Sequence, residues 1–289
     1  MLAEVRRGGP TRRYPMTEID IEVVDDLVGA VAAMEIMPRF GRLAESDVTE
    51  KTSAFDVVSA ADKAAETAIG AEIRARYPDA VVIGEEATDA DRAILEGMDD
   101  IELAVLLDPL DGTKNFVSGL PLFAVMAGVV RFGEVIAGVI HDPVTGISAI
   151  ASKGSGAWIR RDGTVSTRLR VADPVPLNEM EAIAGTRFVA DPLRGVLMAN
   201  LPRIAGHTWF RCAGHEYRLA AAGQCHVLCY HRLMPWDHAP GWLLHQEAGG
   251  YSAHFDGTPF RLSRMTGGLL CAPDESSWHA AYDGLLTRQ

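Results

Sequence analysis

The chain has 289 residues, of which 48% are hydrophobic and 23% are charged, and its formal net charge is -12. A chain of this length can bury a large core, and we expect two domains. The acidic balance argues against direct binding of nucleic acid, because contacts to a phosphate backbone need clustered lysine and arginine. No apolar run approaches the roughly 18 residues that a transmembrane helix requires, so we expect a soluble protein without a membrane partner.

The cysteines and the N-terminal residues indicate the cellular compartment. All of the cysteines lie in the last third of the chain, and their spacing is not that of a disulfide framework, so we expect a reducing cytoplasm. Residues 1–16 are rich in arginine, glycine and proline but lack the apolar segment of a signal peptide, and we expect a flexible arm. Thr17 is a candidate N-cap for the helix that follows, which would make Met16 a possible native start.

Helical spacing of apolar residues predicts a long first helix from residue 18 to about residue 43. Ser59 and Asp62 have the spacing of a capping box, so a second helix should begin there and end near Tyr77, which precedes a proline. Two short apolar runs, residues 80–84 and 103–107, are typical of buried strands and end at acidic residues.

Further strands are expected in the middle of the chain. Two apolar runs within residues 122–142 flank a turn signal, which predicts a hairpin, and short strands should follow at 147–150 and 157–160. We therefore predict an α+β domain over residues 17–172, with helices on a mostly antiparallel sheet. Beyond it, strands and helices alternate, which predicts a smaller α/β domain over residues 173–289 that completes the site. Its predicted elements are 182–185, 191–200, 208–211, 213–222, 226–230 and 237–248.

The segment Leu107-Asp108-Pro109-Leu110-Asp111-Gly112-Thr113-Lys114-Asn115-Phe116 is the most informative in the chain. It delivers two carboxylates to the end of a buried strand, next to a glycine turn. Hard oxygen ligands without a nearby cysteine or histidine pattern suit Mg²⁺ rather than zinc. An isolated Asp-Gly turn is common, so this segment alone would not identify a site.

Other acids lie at predicted element ends, namely Asp62, Glu85 and Asp237. If they converge with Asp108 and Asp111, their mutual repulsion requires bound cations. Each also has an ordinary interpretation, since Asp62 and Asp237 can cap helices and Glu85 can be a solvated strand end.

Three motifs carry a resemblance to a known family: Gly84-Glu85-Glu86, the segment from Asp108 to Phe116, and Trp236-Asp237-x-Ala239-x-Gly241. With this order and spacing, the chain resembles the inositol monophosphatase family of Mg²⁺-dependent, Li⁺-sensitive phosphatases. The resemblance implies a layered αβαβα sugar-phosphatase fold, two or three Mg²⁺ ions, and hydrolysis of a small-molecule phosphate monoester. It also implies a possible homodimer.

The resemblance also implies roles for the acids. Glu85, Asp108 and the carbonyl of Leu110 would hold the first metal, and Asp108, Asp111 and Asp237 would hold the second. The metals would activate the attacking water and take up charge on the leaving oxygen.

The remaining groups of the reaction centre follow from the same resemblance. Thr113, together with Glu85, would position and help deprotonate the attacking water, and Asp62 would orient it from behind. Gly112 and Thr113 would bind the phosphate through the N–H groups of a short helix, and Lys114 is either a phosphate contact or a solvated side chain. No histidine is needed for the chemical step.

The leaving-group side departs from the pattern. Inositol-hydrolysing members typically carry a glutamate where this chain has Tyr230, and residues 211–223 differ from the family's usual helix start. The substrate-binding candidates are Gly214, His215, Glu216, Tyr230, His231 and Arg232. Inositol monophosphate is the leading substrate, with histidinol phosphate, phosphoadenosine phosphate and fructose bisphosphate as alternatives. A regulatory partner protein with secondary catalysis is the alternative of a different class.

A zinc site at Cys225, His226, Cys229 and His231 is disfavoured by the sequence. Neighbouring residues of a strand point to opposite faces, so these side chains do not converge as a tetrahedral site requires.

Overall fold

The structure is a computed structural model that describes residues 19–53 and 56–288. The expected arm over residues 1–16 and the candidate N-cap Thr17 lie outside the described residues. The first helix, α1 (Ile21–Val31), is capped by Asp20, whose carboxylate accepts the N–H of Glu22 at 3.0 Å.

The helical path continues beyond α1 through a π-helical turn (Ala32–Ile36) and a 3₁₀ turn (Met37–Arg39). The prediction of a helix to about residue 43 was therefore too long by one turn. Pro38 lies in the last turn and has no N–H to donate, and Phe40 is extended.

A two-stranded hairpin, β1 (Val48–Ser53) and β2 (Asp56–Ser59), precedes the second helix, α2 (Ala60–Arg76). Ser59 and Asp62 form the predicted capping box, and the helix ends at Tyr77 as expected. Because the β2 strand runs directly into this cap, Asp62 is held at a fixed helix start.

A seven-stranded sheet follows, with strands in chain order from one edge to the other. Only its first pair is parallel, so the predicted mostly antiparallel sheet is confirmed. Its strands are β3 (Val81–Gly84), β4 (Ala104–Asp111), β5 (Ala124–Arg131), β6 (Glu134–Asp142), β7 (Ile147–Ser152), β8 (Gly156–Arg161) and β9 (Thr164–Arg168). Two short helices leave this sheet, α3 (Glu85–Ala90) after β3 and α4 (Thr113–Val117) after β4.

Two details of this sheet differ from the sequence prediction. Strand β4 does not stop at Asp108 but runs through Pro109 to Asp111, with a shift of register against β5 between the two acids. The chain turns only at Gly112, whose φ of 86° favours glycine. Strand β9 was not predicted, because all of its residues are exposed and it lacks apolar alternation.

A five-stranded sheet has the order β11-β10-β12-β14-β13, in which β10 is parallel to both β11 and β12. Its strands are β10 (Glu181–Ala184), β11 (Gly206–Thr208), β12 (Val227–Tyr230), β13 (Tyr251–His254) and β14 (Leu269–Ala272). The predicted strand at 208–211 is wrong beyond Thr208. Arg211 has a φ of 59°, in the left-handed region that a strand does not contain.

The described residues contain four further α-helices: α5 (Leu193–Asn200), α6 (Ala213–Ala221), α7 (Pro235–Glu247) and α8 (Glu275–Leu285). Helices α1 and α2 cover one face of the seven-stranded sheet. Helices α6 and α7 lie between the two sheets, and α5 and α8 cover the far face of the five-stranded sheet. The αβαβα layering is thereby confirmed, whereas the division into domains at residues 172/173 stays a prediction.

Within the described residues, the structure contains no helix of the length and apolarity needed to cross a membrane.

The central helix layer depends on a close contact between α6 and α7. A Cβ atom added at Gly241 would lie 2.0 Å from Cδ2 of the buried Tyr217. We expect Gly241→Ala to lower the free energy of unfolding by about 1–3 kcal/mol, because an overpacked core must shift. Urea unfolding measures this change.

Gly195→Ala on α5 is the matched control, since no atom lies within 4 Å of the added Cβ. Alanine at this exposed helical position should stabilise the protein by up to about 1 kcal/mol. Equal effects of the two substitutions would contradict the packing argument.

Candidate active site

A cavity of about 520 Å³ opens between the two sheets. One wall consists of the end of β4 and the first turns of α3, α4 and α7, and the opposite wall consists of loops that follow β10, β11 and β12. Helix N-termini and the carboxyl ends of parallel strands are where α/β folds bind ligands.

The predicted acids meet on the first wall. Carboxylate oxygens of Glu85, Asp108 and Asp237 all lie within 4.8 Å of one another. Asp111 lines the same cavity, and its Oδ2 accepts the N–H of Gly214 at 2.6 Å and the thiol of Cys212 at 3.0 Å. Three separate segments of sequence thus converge.

Asp237 lies in the first turn of α7, but it is not the cap of that helix. Met234 occupies the N-cap position and Pro235 begins the helix. The capping interpretation of Asp237 is therefore wrong, and its carboxylate is available to the cavity.

Glu85 is positioned by a residue that sequence reasoning missed. Glu66 on α2 accepts the N–H groups of Glu86 at 2.7 Å and Ala87 at 2.9 Å, which holds the start of α3. A Cβ at Gly84 would lie 2.3 Å from the Glu66 carboxyl carbon. Glycine before Glu85 is therefore required by the close contact between Glu66 on α2 and the end of β3, and the motif itself was the available signal.

Electrostatics disfavour full ionisation of this cluster. Burial raises the pKa of Asp108 well above its usual value, and Glu85, Asp111 and Asp237 raise it further. Burial likewise raises the pKa of Asp237, with added repulsion from Glu85 and Asp111. Crowded carboxylates of this kind are stabilised by a multivalent cation.

The donor set fits a hard divalent cation. Glu85, Asp108, Asp111 and Asp237 offer only oxygen, as does the carbonyl of Leu110, which also lines the cavity. Carboxylate and carbonyl oxygens suit Mg²⁺. In the described part of the chain, the clusters capable of holding a metal are all carboxylates, and none includes the cysteines and histidines weighed for zinc.

Lys51, on strand β1, is a second residue that the sequence did not reveal. Its ammonium lies 2.9 Å from Glu85 Oε1, 2.7 Å from Glu86 Oε1 and 2.7 Å from Asp89 Oδ2. Burial lowers the pKa of Lys51, but these acids, Glu85 foremost, outweigh burial and raise it overall. Lys51 thus partly neutralises the edge of the acidic cluster.

Asp62 serves two purposes with its two oxygens. Oδ2 accepts the N–H and hydroxyl of Ser59 at 2.8 and 2.6 Å, while Oδ1 lies 2.8 Å from the hydroxyl of Thr113. Burial raises the pKa of Asp62 to about 6, although the hydrogen bonds from Ser59 and Thr113 oppose the rise. Capping and a place behind the site are therefore compatible.

Thr113 and Gly112 form the turn beside the acids. The Thr113 hydroxyl lies 2.9 Å from the carbonyl oxygen of Leu110 as well as near Asp62. A Cβ at Gly112 would lie 2.9 Å from the carbonyl oxygen of Leu122, so both space and φ require glycine. Gly112, Thr113 and Lys114 all line the cavity, and the predicted short helix starts at Thr113.

The substrate candidates separate into two groups. Glu216, Tyr230, His231 and Arg232 line the cavity, whereas Gly214 and His215 do not.

Both Gly214 and His215 face the seven-stranded sheet. A Cβ at Gly214 would lie 2.9 Å from Ala124 Cβ, and His215 Nε2 lies 3.1 Å from the Phe123 carbonyl. Their side of α6 belongs to the core, so the structure gives them no contact with a ligand in the cavity.

Tyr230 occupies the position where the resemblance leads one to expect glutamate. Its hydroxyl is buried near the carboxyl of Glu216 but makes no hydrogen bond of ordinary geometry, and its ring packs against His238 at 4.6 Å. Burial, with Asp111, raises the pKa of Glu216 to about 8, and the N–H of Phe210, 3.0 Å from Oε1, opposes the rise.

Sequence reasoning missed several residues of the second wall. They lie on loops without a family motif, and the one available signal was their place after predicted strands of an α/β unit. These cavity-lining residues are Arg187, Phe188, Trp209 and Arg211.

The chain is similar to known proteins over most of its length. The profile of the inositol monophosphatase family matches residues 15–288. An inositol-1-monophosphatase of Caulobacter vibrioides is 34% identical over 224 residues, which are 76% of this chain and 83% of that protein. The Nus factor SuhB of Pasteurella multocida is 34% identical over 228 residues, which are 78% of this chain and 80% of that protein.

The fold is shared with solved structures. The crystal structure of the extragenic suppressor protein suhB from Bartonella henselae matches with a TM-score of 0.78 at 26% identity, over 92% of this chain and 98% of that chain. These similarities confirm the resemblance that the motifs indicated. The chain therefore belongs to the inositol monophosphatase family, whose members are phosphoric monoester hydrolases.

Proposed function

We propose that this protein is a Mg²⁺-dependent phosphatase that hydrolyses a small-molecule phosphate monoester by attack of an activated water. The observation that carries the proposal is the meeting of Glu85, Asp108 and Asp237 within 4.8 Å, beside Asp111 and Thr113. Inositol monophosphate is the leading substrate, in line with the family. Histidinol phosphate, phosphoadenosine phosphate and fructose bisphosphate are the alternatives.

We assign two or three Mg²⁺ ions to the acidic wall. Glu85, Asp108 and the Leu110 carbonyl form the proposed first position, and Asp108, Asp111 and Asp237 form the second. When bound, Mg²⁺ supplies positive charge for the phosphoryl and leaving oxygens and makes a water more acidic.

The chain's own groups prepare the attack. The hydroxyl of Thr113 has one proton, which it donates to Asp62 or to the Leu110 carbonyl. Its lone pairs remain to accept a hydrogen bond from the attacking water. Thr113 and Glu85 are the proposed catalytic residues. Thr113 orients this water by accepting a hydrogen bond from it, the carboxylate of Glu85 accepts the proton that the water loses, and Asp62 is a positioning residue behind Thr113.

The phosphate and the alcohol are held by different groups. The backbone at Gly112 and Thr113 is the proposed phosphate site. Glu216, Tyr230 and His231 face the leaving alcohol from the other wall, together with Arg232. Phosphate chemistry and alcohol recognition are thus separable, and a change in the second wall alters substrate choice without removing the reaction.

We further place the protein in the cytoplasm. The cysteines of the described chain, Cys212, Cys225, Cys229 and Cys271, are buried and free, as expected in a reducing compartment. A homodimer stays a prediction that rests on the family alone.

The reaction itself is the first test. Purified protein should release inorganic phosphate from inositol 1-phosphate or an alternative ester with Mg²⁺, and Li⁺ should inhibit the release. Asp108→Asn should lower kcat by at least about a hundredfold, because the amide removes negative charge shared by both proposed metal positions. A phosphate-release assay measures all three effects.

Asp162→Asn, at an exposed turn between β8 and β9, is the matched control and should leave the rate unchanged. Equal release with and without Mg²⁺, or no release from any ester, would overturn the proposal.

The acidic cluster gives a second test through stability. Lys51→Met removes the cation that contacts Glu85, Glu86 and Asp89. In EDTA it should lower the free energy of unfolding by about 1–3 kcal/mol, because crowded carboxylates lose their partner. Saturating Mg²⁺ should reduce this loss, since the ion replaces the missing charge.

Lys153→Met is the control for this measurement. Lys153 forms an exposed ion pair with Glu134, so its loss should change stability by less than about 1 kcal/mol in either buffer. A Lys51→Met defect of the same size with and without Mg²⁺ would argue against cation binding at this cluster.

A second candidate function is that of a regulatory partner of another macromolecule, with catalysis secondary. The observation that favours it is the similarity to a protein named Nus factor SuhB. A regulatory function does not by itself explain why the cavity carries a full set of carboxylates. The structure therefore favours the enzyme.

Complementation separates the two functions. Asp237→Asn removes one carboxylate of the proposed second metal position and should abolish turnover while the fold is kept, as circular dichroism would verify. If the enzyme is the physiological function, this variant should fail to restore growth of a deletion strain. Full restoration by a variant without measurable turnover would favour the regulatory function.

A further inference from the structure

We propose that the second wall of the cavity selects a leaving group that carries both a flat aromatic ring and an additional negative charge. This inference rests on the proposed phosphatase function and deepens it, because it places the phosphoadenosine phosphate alternative ahead of inositol monophosphate. The wall is called here the arginine–aromatic rim. Its members are Arg187, Phe188, Trp209, Arg211 and Arg232, all of which line the cavity.

The topology of the five-stranded sheet brings the rim together. Strand β10 is parallel to both of its neighbours. Its Ile183 pairs with Thr208 of β11, and its Ala184 pairs with Cys229 of β12. The three strands therefore end side by side at one edge. The loops that leave this edge supply all five rim residues, and such an edge is where open α/β sheets bind ligands.

The rim exposes two large aromatic side chains. Phe188 is 54% exposed and Trp209 is 37% exposed, although rings of this size usually bury most of their surface. Trp209 rests on Gly185, where a Cβ atom would lie 2.8 Å from indole atoms Cε2 and Nε1. Exposed rings on a cavity wall provide faces on which a flat ligand ring can stack.

Two arginines lie beside the ring of Phe188. The guanidinium carbon of Arg187 lies 5.6 Å from the centroid of the Phe188 ring, and that of Arg232 lies 5.9 Å from the same centroid. Guanidinium groups form paired hydrogen bonds with phosphate and carboxylate. A ligand ring that stacks at Phe188 would thus bring any anionic substituent close to arginine.

Arg211 adds a third cation at a conformational cost. Its φ of 59° lies in the left-handed region, which asparagine or glycine would occupy with less strain. The residue immediately precedes Cys212, whose thiol contacts Asp111, so the strained turn also borders the acidic wall. The chain nevertheless has an arginine side chain at this position, although its net charge is -12.

The two walls therefore differ in charge. An ester that spans the cavity places its scissile phosphate near Asp108 and Asp237 and its leaving group against the rim. A neutral polyol has no flat ring to stack on the rim and no anion to pair with its arginines, and Tyr230 lies where the resemblance leads one to expect a carboxylate that accepts hydrogen bonds from polyol hydroxyls. A cavity of about 520 Å³ lies in the size range of pockets that hold ligands as large as a nucleotide.

A two-by-two set of esters tests the inference. Inositol 1-phosphate has neither feature, fructose 1,6-bisphosphate has a second charge only, 2′-AMP has a flat ring only, and adenosine 3′,5′-bisphosphate has both. We expect kcat/KM to be highest for adenosine 3′,5′-bisphosphate, by at least about tenfold over each of the others, because stacking and a charged hydrogen bond each strengthen binding.

Substitutions assign the two contributions. Phe188→Leu should reduce kcat/KM about tenfold for the two adenosine esters only, and Arg187→Gln should do so for the two bisphosphates only. Phe132→Leu and Arg194→Gln, at exposed positions outside the cavity, are the matched controls and should change none of the four values.

The outcomes are distinguishable. A preference for inositol 1-phosphate, or an equal loss on all four esters in Phe188→Leu and Arg187→Gln, would overturn the rim inference while leaving the phosphatase intact. If none of the esters releases phosphate, the proposed function fails. The rim is then judged by calorimetry with AMP. Binding that Phe188→Leu weakens supports the rim, and no binding overturns it.

Discussion

The repulsion among buried carboxylates is the constraint on which the rest of this structure depends. Asp108 and Asp237 lie with Glu85 in a space where burial and like charge both raise their pKa values. Such an arrangement by itself does not stabilise a fold, since the free energy of desolvated carboxylates is lower when they separate or bind protons. The surrounding elements must therefore hold the acids in place, and a multivalent cation is the natural counter-charge.

The fold meets this constraint with local devices at element ends. Glu66 holds the start of α3 beneath Glu85, the capping box at Ser59 holds Asp62, and the N–H of Gly214 holds Asp111. Each of these contacts uses backbone N–H groups that a helix start or turn leaves unpaired. The hydrogen bonds that position the acids therefore also satisfy these backbone donors. The central layer of α6 and α7 then brings the two sheets together around the cavity.

The same layering separates chemistry from recognition. The acids come from the end of β4 and the starts of α3 and α7, whereas the arginines and exposed rings come from loops of the five-stranded sheet. Loops at a sheet edge tolerate substitution better than a strand end inside a core does. A shared reaction centre can therefore be combined with a different leaving-group wall, and Tyr230 lies on that wall, where the resemblance leads one to expect glutamate.

The sequence by itself determined the family, the main helices and strands, and the acids, because these depend on local periodicity, turn residues and motifs of fixed spacing. The capping box of Ser59 and Asp62 was predicted from such spacing, as was the turn at Gly112 after Asp111. Lys51 beside Glu85, Glu66 beneath Gly84 and the loop conformation of Arg211 were decided only by the tertiary structure. These contacts join residues 34 or 18 positions apart, or depend on how three parallel strands end together. No local pattern encodes them, since the partner of each side chain is set by packing of distant elements.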